Sequence, residues 1–324
     1  MMENQRFRRK KPISDIREGE LVDDIFVVKI KRGIQKYAKG WVFTLLLSDQ
    51  TGSTIEYKFW GPDEEQRVRN LYEAVKQDSV IRVQGKVSDY NNKLQIATND
   101  PLGIQILSPD QYDPSEFIKP PKGDIDKMYN GLKESINYVK NPEIKDLLTS
   151  IFTDTDFEEK FKTHPGAIEI HHNWKGGLLQ HTIEVLNYCI LSHKQFPDLD
   201  KDLLIAGALL HDIGKMEELE TTTRIKATDK GQLIGHLPMS VIFVEKRINA
   251  IPGFDSNLRH KLLHMMASHH GRLEYGSPKE PMIPEAVALY YADEMSAKIA
   301  EMTEFVTESR KHTEDSFMFS RRNQ

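Results

Sequence analysis

Between Leu21 and about Leu107, apolar and polar positions alternate with a period of two, which predicts β-strands. In the first run Phe26, Val28 and Ile30 fall on one face and Val27, Lys29 and Lys31 on the other. Trp41, Phe43, Leu45 and Leu47 share a face of the next run, and Ile55, Tyr57 and Phe59 share a face of the third. Val80 to Val87 and Leu94 to Ala97 complete the set, with turn-forming residues at Gln50-Thr51-Gly52-Ser53 and Asp89-Tyr90-Asn91-Asn92. Asp63 to Gln77 has a helical composition. From Ile125 to Phe305 the period becomes helical, as in Leu132-Ile136-Val139, Leu178-Val185-Cys189, Leu203 to Leu210, Val241-Val244-Ile248 and Ala286-Leu289-Tyr290-Ala297.

About five short strands with a helix after the third is the element list of an OB-fold, a small all-β barrel whose outer face commonly holds oligonucleotides. The second half reads as all-α. The chain therefore divides into a basic tail (1–12), an OB-like barrel (13–108), a linker (109–124) with Pro109, Pro114, Pro120 and Pro121, a helical bundle (125–308) and a tail (309–324).

A chain of 324 residues is long enough for two domains, each with its own core. No apolar run reaches the roughly 20 residues of a membrane span, and no apolar stretch follows the basic N-terminus, so neither a membrane nor a secreted protein is expected. The one cysteine, Cys189, can form no internal disulfide, which favours the cytoplasm. With 44 Lys and Arg against 49 Asp and Glu, nucleic-acid binding has to rely on a local patch. Lys58, Arg82 and Lys86 supply cations on the strands, and Tyr37, Trp41 and Trp60 supply rings for base stacking, Trp60 first among them. The same aromatics as barrel core, with the cations as a solvated face, is the alternative reading.

The candidate chemistry lies in the helical half. His181 shares a helix face with Leu178 and Val185 and points inward. His211-Asp212 ends the apolar run Leu203 to Leu210, His236 follows Gly235, His269-His270 closes the run from Leu262, and Asp293 sits among Ala286, Leu289 and Tyr290. Imidazoles and carboxylates projected from buried faces need neutralising, and five His with two Asp exceed the four ligands of a structural zinc site. A pair of divalent ions is expected, manganese first, with Fe, Ni, Co or Zn as alternatives. His164, His193, His260, His264 and His312 read as ordinary core or surface residues.

The order His181, His211-Asp212, Asp293 resembles the HD-domain superfamily of metal-dependent phosphohydrolases. The stretches His172-Asn173-Trp174-Lys175-Gly176-Gly177-Leu178-Leu179-Gln180-His181, His211-Asp212-Ile213-Gly214-Lys215, Gly235-His236 and Ser268-His269-His270-Gly271-Arg272 are similar to those of YhaM-type 3'-5' exoribonucleases. The resemblance runs from Ile13 to about Phe305 and includes the OB-like segment. It implies metal ligation by His181, His211, Asp212 and Asp293, joined in a two-metal site by His236, His269 and His270. It further implies attack by a metal-activated water, with the ions about 3.5 to 4 Å apart and bridged by Asp212. Lys215 is a candidate phosphate contact, Arg272 a candidate bidentate phosphate clamp, and His172 a candidate acid for the leaving 3'-oxygen. For Lys215 a solvated lysine, for Arg272 a surface ion pair and for His172 a structural role are the competing readings. Gly176-Gly177 is expected to allow a tight turn before the His181 helix.

A tethered OB domain suits a polymer, so the expected substrate is single-stranded RNA, with single-stranded DNA as a second polymer. The alternatives are a phosphohydrolase of nucleotides or cyclic dinucleotides and a non-catalytic binding protein. A homo-oligomer is left open.

Overall fold

The structure is a computed structural model that describes residues 6–91, 93–99, 103–168 and 172–309. Chain contacts divide it into two compact units, residues up to Pro120 together with Thr221–Arg224, and the remainder. Among the described residues no helix is long and apolar enough to cross a membrane.

The first unit is built from β1 (Leu21–Tyr37), β2 (Gly40–Ser48), β3 (Thr54–Gly61), α1 (Glu65–Ala74), β4 (Val80–Tyr90), β5 (Lys93–Asn99) and a short β6 (Ile104–Ile106). The strand order β1-β2-β3-β5-β4 closes through an antiparallel β1–β4 pairing, with β3 and β5 parallel. This is the OB barrel expected from the alternation, with its helix after the third strand. The stripes Phe43-Leu45-Leu47 and Ile55-Tyr57-Phe59 are all buried in its core.

β1 departs from simple alternation. Its first half pairs with β4 and its second half with β2, and the register slips between Val28 and Ile30. The bulge turns Ile30 outward, so it is exposed although the alternation placed it with Phe26 and Val28. Val27 is buried instead, in a small cluster with Ile25, Val80, Leu107, Tyr112 and Phe117. The segment expected as a free linker is therefore docked along much of its length. Two of its apolar residues, Tyr112 and Phe117, bury more surface on the barrel than a solvated connection would allow.

Residues 6–12, expected as part of a basic tail, are also bound to the barrel. Phe7 packs on the same small cluster. Arg9 is buried, with Nη1 3.0 Å from Asp24 Oδ2, Nη2 3.8 Å from Asp49 Oδ2 and its guanidinium over the Phe26 ring. Two buried carboxylates explain why a cation is drawn inward here. The C-terminal tail lies outside the described residues from 310 onward.

The second unit comprises α2 (Ile125–Ile136), α3 (Pro142–Phe152), α4 (Thr155–Thr163), α5 (Gly177–Gln195), α6 (Lys201–Leu210), α7 (Lys215–Glu218), β7 (Leu219–Thr221) apart from its last residue, β8 (Ile225–Ala227), α8 (Asp229–Ile234), α9 (His236–Ile248), α10 (Ser256–Ser268) and α11 (Pro284–Ser309). The bundle is helical as expected, apart from the β7–β8 hairpin, whose three-residue strands are too short to show a period. Asp124, Asn141, Asp154 and Asp200 cap α2, α3, α4 and α6 by accepting from backbone N–H groups of the first turn. α6 is buried from Leu203 to Leu210, which carries its C-terminal end, and the next two residues, into the centre of the bundle.

Candidate metal centre

Five helices bring the site together. His181 is in the second turn of α5, buried on the face it shares with Leu178 and Val185. That helix is preceded by Gly176 at its N-cap, whose φ of 79° is left-handed, and a Cβ on Gly177 would lie 1.9 Å from the His172 carbonyl oxygen. The glycine pair thus serves the tight turn expected of it. His211 and Asp212 follow the last turn of α6, His236 opens α9, His269 and His270 follow α10, and Asp293 lies in α11.

These seven side chains converge. Asp212 Oδ2 lies 3.3 Å from His181 Nε2 and 3.4 Å from His211 Nε2, while Asp293 Oδ1 is 3.0 Å from His181 Nε2. Asp212 Oδ1 lies 3.5 Å from the Nε2 atoms of both His236 and His269. One carboxylate therefore stands between two clusters, His181-His211-Asp293 and His236-His269-His270, in each of which the donor atoms lie within 4.8 Å of one another.

The other ring nitrogens decide what these donors offer. Nδ1 of His211, His269 and His270 contacts the carbonyl oxygens of Ala208, Met266 and Tyr275 at 2.9, 2.8 and 3.1 Å. Nδ1 of His236 lies 3.0 Å from Glu218. Nδ1 of His181 lies 3.0 Å from Ser296 Oγ, which itself donates to Glu184 Oε2 at 2.8 Å. Each partner accepts, so each Nδ1 donates and each Nε2 is the nitrogen turned to the centre. Two pairs of rings face each other directly, His181 with His211 and His236 with His270, both at 3.2 Å between nitrogens. Asp212 Oδ1 and His269 Nε2 are buried with no hydrogen-bond partner among the described residues. Ring nitrogens and carboxylate oxygens packed this closely fit a divalent cation in each cluster.

Burial pushes the His181 imidazole down, but the Asp212 and Asp293 carboxylates outweigh it and raise it to about 9, so its Nε2 carries a proton that a cation at this cluster would displace. Asp212 is held well below the usual carboxylate range, because Lys215 and His211 outweigh the burial that would raise it. Burial lowers His269 and His270, which keeps these rings neutral and available as ligands.

The remaining candidates are placed unequally. Lys215 is nearly buried at the start of α7, with Nζ 2.7 Å from Asp212 Oδ2, so it stands at the centre and is not a solvated lysine. His172 is buried beside His181, with Nε2 3.0 Å from Glu184 Oε2 and a left-handed φ of 56°. Arg272 is exposed and paired with Glu274 at 3.1 Å, the surface ion pair that competed with a phosphate clamp. His164 contacts the Lys215 carbonyl oxygen, His193 contacts that of Leu199, and His264 accepts from the Met282 backbone, all structural roles. His312 lies outside the described residues.

Three residues absent from the sequence reading complete the centre: Glu184, Ser296 and Glu218. Glu184 and Ser296 each lie three residues beyond a site residue of the same helix, a spacing that places them on its face. Glu184 accepts from Gln180 as well as Ser296, and its carboxyl is lowered to about 2 because His172 outweighs its burial. Glu218 also accepts from the His236 backbone N–H at 3.0 Å. Replacing Glu218 with Gln is expected to weaken divalent-metal binding by about 10- to 100-fold in titration calorimetry.

On the barrel, Lys58 and Trp60 point outward from β3, opposite Thr44 and Val42 of β2. Tyr37 meets Trp60 edge to face at 4.8 Å, and Lys58 Nζ lies over the Tyr90 ring at 4.8 Å. Lys86 is exposed on β4, beside Ala97 of β5. Arg82 and Trp41 do not join this group. Arg82 is bound through Nε and Nη2 to Asp23 at 2.6 and 2.7 Å, and Trp41 packs against the barrel core.

The HD domain family profile matches residues 178–298. Solved structures that align with about a third of the chain include a domain of replication protein A from Methanococcus maripaludis, 22% identical over 31% of this chain and 97% of that one with a TM-score of 0.24. An OB domain from Thermoplasma acidophilum is 16% identical over 30% of this chain and 85% of that one, also with a TM-score of 0.24. The 3'-5' exoribonuclease YhaM of Geobacillus sp. (strain WCH70) is 32% identical over 285 residues, covering 87% of this chain and 83% of that protein. With that identity sustained across both units, the chain belongs to the YhaM family of 3'-5' exoribonucleases, metal-dependent hydrolases with an HD domain.

Proposed function

We infer that this chain is a cytoplasmic 3'-5' exoribonuclease that shortens single-stranded RNA by hydrolysing phosphodiester bonds with two divalent ions, manganese before Fe, Ni, Co or Zn. Single-stranded DNA is the second polymer it would accept. His181, His211 and Asp293 would hold one ion and His236, His269 and His270 the other, with Asp212 shared. The observation that carries the reading is the division of Asp212, whose two oxygens face two separate sets of imidazole nitrogens. When bound, such ions supply Lewis acidity that lowers the pKa of water and offsets phosphate charge.

The chain's own groups do the rest. The Nδ1 contacts fix the rotation and tautomer of five rings, so the donors are in place before substrate arrives. Lys215, beside Asp212, is one cation within reach of a phosphate held at the centre. Its Nζ is held protonated, since the charge of Asp212 outweighs the burial that would lower it. His172 is turned toward Glu184, so its support is for the His181 wall of the site and not for the leaving group.

The test is end-labelled oligoribonucleotide in Mn(II), with an oligodeoxynucleotide and free nucleotides in parallel. Stepwise loss of nucleoside monophosphates from the 3' end, abolished by chelator, is expected; turnover of free nucleotides with intact polymer overturns the reading. Tyr37, Lys58 and Trp60 on the outer barrel face would hold the strand, with Lys86 near them. Trp60→Ala is expected to weaken RNA binding by about 1–3 kcal/mol, read as a raised KM with little change in kcat.

A further inference from the structure

The inner face of α11 carries Asp293 and Ser296, and with Ala286, Leu289 and Ala292 it packs into the bundle. Among the described residues nothing covers the opposite face. Tyr291, Met295, Ile299, Met302 and Phe305 form a stripe along it, and Leu191 and Phe196 at the end of α5 extend the stripe sideways. Their exposure runs from 36% at Phe305 to 64% at Phe196. Large apolar side chains aligned on one helix face are not the scattered exposure of an ordinary surface. Over its last turns the helix exposes both Met302 and Phe305, and an isolated helical end of this kind gains little stability in water.

We propose that this face of α11 is a homodimer interface, in which two copies of the helix pair antiparallel across a two-fold axis near Lys298. Three observations select a second copy of this chain as the occupant. The first is self-complementary spacing. A two-fold axis at that point sets Tyr291 against Phe305 and Met295 against Met302, with Ile299 beside the axis and the charge of Lys298 matched on its own helix by Glu294 and Glu301, each 3.9 Å away. The second is shape. Tyr188, Leu191, Phe196, Tyr291 and Met295 line a groove of about 700 Å³ at one end of the stripe, and the projecting Phe305 lies at the other end. Each copy thus offers a groove where its mate offers a knob. The third is area: the seven exposed side chains present on the order of 700 Å² of apolar surface, close to the ~800 Å² per partner of a stable interface. Because the opposite face of the same helix holds Asp293 and Ser296, pairing would also stiffen one wall of the metal centre.

The full chain at micromolar concentration is expected to run in light scattering at twice the mass of the monomer or at a higher even multiple. Met295→Glu and Met302→Glu, each placing a charge in the seam, are expected to halve that mass while helical circular dichroism stays unchanged. Ile299→Cys, beside the axis and in a chain whose one native cysteine is buried, is expected to give an inter-chain disulfide under mild oxidation. A wild-type monomer overturns the proposal, whatever other partner the face then proves to take. So does an oligomer whose mass neither glutamate variant changes. If the glutamate variants fail to fold, the cysteine variant decides: a cross-linked dimer upholds the pairing and its absence sinks it.

Discussion

Asp212→Ala is expected to reduce RNA cleavage by about 10⁴-fold and to remove metal from both clusters at once, since among the described residues its carboxylate is the one that faces both sets of imidazoles. Replacing any one histidine leaves the other cluster with its carboxylate; replacing Asp212 does not. Asp212→Asn sharpens the test, because it keeps the shape and removes the charge. Its neutral amide no longer balances the buried Lys215, whose Nζ lies 2.7 Å from the native carboxylate. Metal content by elemental analysis and single-turnover cleavage of a labelled RNA measure the two effects separately. Wild-type metal content with wild-type cleavage in the asparagine variant would remove Asp212 from the centre of the mechanism.

Arg9→Ala is expected to cost the barrel about 3 kcal/mol, at the lower end of the range for breaking a buried ion pair. The lower end applies because the carboxylates keep other partners. Asp24 accepts from the backbone N–H groups of Lys10 and Ile25, and Asp49 accepts from that of Ile13. The loss should depend on pH in a defined direction. Burial already raises the Asp24 carboxyl against the pull of Arg9, so a native state without Arg9 binds a proton there more readily than the unfolded chain does. Stability of the variant then rises as pH falls through that raised value, and its deficit against wild type narrows from neutral toward acid pH. Urea unfolding of both proteins at the two pH values reads this. Equal midpoints at neutral pH would mean that the N-terminal strap does not anchor the barrel.

Much of the architecture was legible because its signals are local. The stripes of β2 and β3 repeat every second residue, the run from Leu203 to Leu210 is apolar throughout, and α2 opens one residue after its Asp124 cap. The seven site residues could be picked out because imidazoles and carboxylates sat at the ends or on the apolar faces of such runs. Less of the barrel surface was legible. Lys58, Trp60, Arg82 and Lys86 carry equivalent outward strand positions, yet Asp23 takes Arg82 out of the group.

By itself, then, the sequence determined the two folds, their order and the inventory of donors, because side-chain period and residue type are properties of neighbouring positions. The bridging place of Asp212 was implied by the family resemblance; tertiary structure alone decided which imidazoles each of its oxygens faces, that Ser296 holds a ring 115 residues away in the chain, and that Arg9 belongs to the barrel core. Such contacts join residues whose separation carries no period, so only the packing of whole elements brings them within hydrogen-bond reach.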